Sequence, residues 1–209
     1  MAEFGNDHPL RVVRAEPGQR DALAKLMAAA FDQDPVSIWL FPDEQSREST
    51  QRRFFTLFLD LAFESGEVYT TDTGRGVALW LSVDPAEDPD DDAAAVFDER
   101  MRRALGVHAE RFAILSALMD DAHPSREKHR YMPFIAVAPG HQRRGIGTRL
   151  LADGLAIQDA TGTASYLEAS CPRNQKLYEQ LGFRPIGGPI ELPGGAQQLT
   201  PMWRPACTG

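Results

Sequence analysis

Cysteine is scarce: Cys171 and Cys207 are the only two in 209 residues. Two thiols make no disulfide framework, so reduced thiols and a cytoplasmic setting are the expectation. No apolar run approaches the roughly 20 residues of a membrane-spanning helix. Residues 1–9 are polar and lack the basic start and apolar segment of a secretory signal; they read as a short disordered tail. Positive charge is outnumbered, with 22 Lys and Arg against 30 Asp and Glu and a net charge of −8. A general nucleic-acid binder would favour a basic surface, so neither nucleic acid nor membrane is an expected partner. The acidic stretch Asp84 to Asp92 lacks ordered ligand spacing and reads as a solvated loop, with no metal expected. Internal repeats and an interdomain linker are also missing. Residues 10–205 therefore read as one domain, and the 43% hydrophobic content supports an ordinary core.

What is there alternates between the two hydrophobic periods. Residues 10–14 read as a strand, and Leu23, Leu26, Met27, Ala30 and Phe31 fall at helical spacing. The proline-bearing segment 34–43 breaks the pattern, with Trp39 and Phe41 either exposed or ordinary packing residues. Phe54, Leu57, Phe58, Leu61 and Ala62 form a second helical stripe, ended by Gly66 as a C-terminal glycine. Residues 67–71 and 76–81 read as strands about the turn Asp72-Thr73-Gly74, with Tyr69 and Trp80 as sheet-face aromatics or pocket walls. One or two helices follow over 93–121, with Leu105, Phe112, Leu115 and Met119 as buried candidates, and His123-Pro124 stops them. Strands are expected at 130–137 and 164–169, parallel because a helix separates them. A helix over 173–181 starts at Pro172, and strands at 183–186 and 197–203 close the chain. The sum is an α/β (α+β) domain with a mixed, mostly antiparallel sheet of about six to seven strands flanked by helices.

The densest chemical signal is Ile135-Ala-Val-Ala-Pro-Gly-His-Gln142-Arg143-Arg144-Gly145-Ile146-Gly147-Thr148. Glycines that open a helix directly after a strand let backbone N–H groups converge on an anion, and Arg143 and Arg144 add charge there. Gly140 and Gly145 have P-loop spacing, but Ile146-Gly147 stands where that motif needs Lys and Ser or Thr, which argues against a nucleotide triphosphatase. A dinucleotide fingerprint fails too, because Leu150 occupies the third glycine position. Arg149 lies one turn into the helix and is either part of the basic cluster or a solvated residue.

Val137-x-Pro139-x-x-Gln142-x-x-Gly145-x-Gly147 resembles the coenzyme-A-binding motif of the GNAT superfamily of N-acyltransferases. A second block agrees: Leu167-Glu168-Ala169-Ser170, Arg173-Asn174 and Leu177-Tyr178-Glu179-x-Leu181-Gly182-Phe183. Together they cover roughly residues 130–186. Ala78-Leu79-Trp80, His123-Pro124, the run Phe134 to Gly147 and Leu167 to Asn174 are also similar to the puromycin N-acetyltransferase-like group.

The resemblance implies a single GNAT-like domain in which a splayed parallel strand pair binds acetyl-CoA as cosubstrate. It implies transfer of the acetyl group to a primary amine of a small molecule by direct attack on the thioester. Ile135, Ala136 and Val137 would line the pantetheine, with the Val137 N–H stabilising the oxyanion. Gln142, Arg143, Arg144, Gly145, Ile146, Gly147 and Thr148 would take the pyrophosphate, and Asn174 the pantetheine or the adjoining strand. Tyr178 is the candidate general acid, since a phenol of pKa about 10 is not badly matched to a thiol of about 8.5. Glu168 is the candidate base through a water, or else a structural hydrogen bonder. Its ordinary pKa near 4.3 requires burial or a relay. His123 and His129 are alternatives. Cys171 has no triad pattern around it and reads as an inert thiol. In related folds the 34–43 segment often lines the acceptor site, and a homodimer is common. Another acyl-CoA, a protein amine as acceptor, or a non-catalytic coenzyme-A-binding module remain open.

Overall fold

The computed structural model describes residues 10–87, 91–125, 127–195 and 197–206. The proposed tail 1–9, Cys207 and part of the acidic stretch lie outside them. Strand β1 (Val12–Arg14) leads into helices α1 (Arg20–Phe31), α2 (Pro35–Leu40) and α3 (Glu44–Ser65). The hairpin β2 (Gly66–Thr71) and β3 (Gly76–Val83) is followed by α4 (Asp91–Leu105) and α5 (Ala109–Ala122). The second half runs β4 (His129–Val137), α6 (Ile146–Ala160), β5 (Ala164–Ala169), α7 (Pro172–Gln180), β6 (Arg184–Pro185), β7 (Ile190–Glu191) and β8 (Gln198–Arg204). The sheet order is β1-β2-β3-β4-β5-β8-β6, with β7 paired to β8. Among the described residues the sheet has eight strands: the strand expected at 183–186 is β6, and the addition is β7, two residues long and too short to show as a period. Among the described residues only β4 and β5 run parallel, as a crossover through a helix requires. Among the described residues no helix is long and apolar enough to cross a membrane.

Alternation along β3 divides the core. Val77 and Leu79 face a cluster with Leu23, Met27, Phe54, Phe55 and Leu59, from α1 and α3. Trp80, one residue on, faces the other way and packs with Leu151 and Leu155 of α6 and Met132 of β4. Trp80 is fully buried, so it is a core residue and not a pocket wall. Helix α6 seats closely: a Cβ on Gly154 would lie 2.7 Å from Trp80 Nε1, and one on Gly76 2.7 Å from Leu150 Cδ1.

Two local expectations change. The 34–43 segment is not simply a break. Asp34 caps α2, its side chain accepting from the Val36 and Ser37 N–H groups, and Pro35 occupies the first turn. Phe41 is buried at 1% exposure, the packing alternative, while Trp39 stays half-buried, donating from Nε1 to the Pro193 carbonyl at 3.0 Å. Gly66 does end α3, but in extended backbone (φ −147) and not in the left-handed region. Space is what demands glycine there, because a Cβ would lie 2.3 Å from the Trp80 carbonyl oxygen.

Candidate active site

Strand β4 pairs with β3 from Val83↔His129 to Gly76↔Val137. The register shifts where Met132 and Pro133 together oppose Trp80, and Pro133 has no N–H to give a ladder. On its other side β4 pairs with β5 at only three positions, ending at Tyr131↔Tyr166. Beyond that point β5 follows β8, from Leu167↔Met202 to Ala169↔Thr200, while β4 stays with β3. The parallel pair therefore opens into a wedge from Met132 and Leu167 onward, with strand backbone on both flanks.

The loop at the wide end of the wedge turns repeatedly through the left-handed region. Gly140, Arg143 and Gly145 all have positive φ, at 78, 63 and 79. Gly145 is the N-cap of α6 and pays no steric cost for that conformation; Arg143 does, as a non-glycine residue in a sparsely populated region. Gln142 Nε2 donates to the Val137 carbonyl at 3.3 Å, tying the loop to the strand end. The first N–H groups of α6 have no intrahelical partner, as at any helix start. A Cβ at Gly140 or Gly145 would meet nothing within 4 Å, and at Gly147 only Val137 Cγ2 at 3.6 Å. Packing within the chain therefore does not call for glycine at Gly147; an approaching ligand would. Arg143, Arg144 and Thr148 are exposed beside these groups. Arg149 instead forms an ion pair with Asp153 at 2.8 Å along the helix.

The narrow end of the wedge opens into a cavity with about 910 Å³ of space between atoms, its mouth included. Glu168, Asn174, Tyr178 and Ile135 all line it, so residues from β4, β5 and α7 meet there. Ala136 and Val137 do not line it; they lie further along the wedge toward the loop. Glu168 Oε2 accepts from the Tyr131 hydroxyl at 2.9 Å, and Oε1 is buried without a hydrogen-bond partner. Burial raises the Glu168 pKa to about 7, against the opposing pull of the Tyr131 and Tyr166 hydroxyls. Burial also raises the Tyr178 pKa, helped by Cys171 and Asp34. That widens the gap to a thiol which the unperturbed values had left small.

Asp34, Tyr131 and Ser170 also line the cavity; Asp34 belongs to the 34–43 segment expected at the acceptor site, whereas Tyr131 and Ser170 were not among the candidates. Ser170 Oγ donates to Asp34 Oδ2 at 2.9 Å, tying the start of α2 to the end of β5. Burial raises the Asp34 pKa, against the bonds from Ser37, Ser170 and Val36. The Asp-Pro helix-start signature was legible, but a partner 136 positions away was not. Phe41 lines the cavity and Trp39 does not; Trp39 sits under the Arg111 guanidinium at 5.5 Å.

His123 and His129 lie outside the cavity lining. Their Nε2 atoms are 2.9 Å apart, and His123 packs on the rings of Tyr166 and Tyr131 at 4.5 and 5.0 Å. Burial and then the neighbouring His129 lower the His123 pKa to about 4, and burial lowers that of His129. Cys171 is half-buried at the N-cap of α7. Among the described residues no His, Cys, Asp and Glu cluster could hold a metal.

Residues 106–185 match the family model of the acetyltransferase (GNAT) domain, a span that contains every candidate residue from Ile135 to Tyr178. Solved structures share the fold over nearly the whole chain. An acetyltransferase from Corynebacterium glutamicum, described as histone acetyltransferase HPA2 and related acetyltransferase, is 24% identical with a TM-score of 0.67, over 96% of this chain and 98% of that one. Arylalkylamine N-acetyltransferase 2 from Aedes aegypti is 11% identical with a TM-score of 0.61, over 96% and 100%. Polyamine N-acetyltransferase from Drosophila melanogaster is 14% identical with a TM-score of 0.59, over 93% and 98%. The architecture is GNAT-like.

Proposed function

We propose that this chain, built on a GNAT-like fold, transfers an acetyl group from acetyl-CoA to a primary amine of a small molecule. The observation that carries the reading is the β4–β5 wedge, which joins a helix-start anion loop to a cavity lined by Glu168 and Tyr178. The pyrophosphate would bind the backbone N–H groups of residues 142–148, with Arg143 and Arg144 as counter-charge. The pantetheine would lie along Ile135, Ala136 and Val137 and be steadied by Asn174. Unpaired N–H groups on the β4 flank would stabilise the developing oxyanion, a contribution of roughly 3–4 kcal/mol per well-placed donor.

Glu168 accepts the proton of the attacking amine, directly or through a water. A carboxylate with a pKa of about 7 is far better matched to that task than an ordinary one. Tyr131 acts as its positioning residue, since the hydroxyl fixes Oε2. Tyr178 protonates the departing thiolate or, with its raised pKa, donates a hydrogen bond to it. The similarity of 78–80, 123–124, 134–147 and 167–174 to the puromycin N-acetyltransferase-like group leaves the acceptor open, because fold-level analogy is a weak warrant for substrate specificity.

Calorimetric titration with acetyl-CoA, followed by a mixed amine panel and detection of free thiol, tests the reading. Binding with amine-dependent thiol release is the expected result. Tyr178→Phe should bind acetyl-CoA normally and lose about 10- to 100-fold in kcat. Binding without release on any amine would point to a coenzyme-A-binding module. Preference for a longer acyl donor would reassign the donor, and absence of binding would remove the premise.

A further inference from the structure

Beyond the carboxylates, the cavity is walled by rings. Phe31, Phe54, Phe58, Phe112, Phe134 and Met119 line the side formed by α1, α3, α5 and β4. Phe134 is the hub, with ring centroids 4.9 Å from Phe58, 5.2 Å from Phe55 and 5.9 Å from both Phe31 and Phe54. Each of these contacts is edge-to-face, the arrangement that a further ring would extend. Phe31, Phe58, Phe112 and Phe134 are only half-buried, although Phe55 and Leu59 beneath them are fully covered. Apolar faces left open inside a cavity mark a place for an apolar ligand. The charge on this wall is confined to the other end: Asp34 and Glu168 line it, and no Lys, Arg or His does among the described residues.

We infer that the acceptor is an amine with one positive charge on an aromatic body, its nitrogen toward Asp34 and Glu168 and its ring among the phenylalanines. This rests on the acetyl-transfer reading and names the substrate class of the same site. Two carboxylates at one end match a single ammonium group. A polyamine would place its further ammonium groups among phenyl rings, where a charge lacks a partner and loses its water. A peptide would leave backbone amides unpaired against the same wall, and an aminoglycoside both hydroxyls and charges. A ring on a short alkyl stem meets none of these penalties.

The test uses the full chain and acetyl-CoA, following thiol release with phenethylamine, putrescine, spermidine, a short peptide with a free N-terminus and an aminoglycoside. Phenethylamine should exceed the polyamines in kcat/KM by at least about 100-fold. Phe58→Asp places a carboxylate in the phenyl wall and should move the putrescine-to-phenethylamine ratio by about tenfold or more toward the diamine. Should that variant not fold, Phe112→Leu is the milder probe: it should raise KM for phenethylamine several-fold, on the order of one lost ring contact, with acetyl-CoA affinity unchanged. Equal or better turnover of spermidine, the peptide or the aminoglycoside overturns the inference and leaves acetyl transfer standing. An unchanged KM in Phe112→Leu also overturns it. No acetyl-CoA binding, or no thiol release with any amine, overturns the acetyl-transfer reading itself.

Discussion

At Glu168 burial moves an ordinary carboxyl well above its usual range. Its pKa of about 7, raised by desolvation from 4.5, has two consequences of opposite value. As a base it should give kcat/KM a limb that rises through about pH 7, distinct from the higher limb set by the amine itself. Glu168→Gln should flatten that limb and lower the rate by about 10²- to 10⁴-fold. A limb near pH 7 that survives in the variant would exclude Glu168 as the base. For stability the sign is negative. Between pH 4.5 and about 7 the unfolded carboxyl has lost its proton while the folded one keeps it, so stability falls as pH rises through that window. Above it the cost is on the order of 3 kcal/mol. Glu168→Gln should therefore melt higher than the parent at pH 8 and nearly level with it at pH 4.5, as thermal unfolding at the two pH values would measure. Glu168 was legible as a candidate from its place after the cradle helix; its pKa was not, because Tyr131, Tyr166 and the burial around them come from other parts of the fold.

Among the elements, α6 carries two duties: its start follows the loop we propose as the pyrophosphate site, and its body packs on the sheet. Gly154 sits where the helix crosses Trp80 and leaves no room for a methyl group. Alanine would favour the helix by about 1 kcal/mol, but overpacking a rigid indole costs roughly 1–3 kcal/mol. Gly154→Ala should thus lower the urea midpoint. In a Trp80→Phe background, where the nearest indole atoms are gone, the same change should cost less. A net stabilisation by Gly154→Ala in the parent would show that the helix shifts freely over the sheet. The helix itself was readable from its glycine start and apolar spacing. That Gly154 marks a crossing point was not, because Trp80 lies 74 positions earlier and its facing depends on the strand register.

For the whole molecule, the wedge is a gap in the only parallel strand pair among the described residues, and a ligand that bridges β4, β5 and α6 should stabilise all three together. Acetyl-CoA at 100 times its dissociation constant adds about 2.7 kcal/mol to unfolding. For a domain of this size that corresponds to a rise of roughly 5–10 °C in Tm. An unchanged Tm at saturating acetyl-CoA would mean that the wedge does not take it. The order of strands and helices, the parallel crossover and the anion loop were set by the sequence itself, since periodicity, a helix start and a positive φ are local properties of the backbone. The tertiary structure alone decided where β4 and β5 part, through a proline-bearing register shift opposite Trp80. It also decided which rings face the cavity, that Asp34 at the start of α2 meets Ser170 after β5, and how far burial moves Glu168. Desolvation and cross-chain contact depend on what surrounds a residue in space, and no local pattern in the sequence records that.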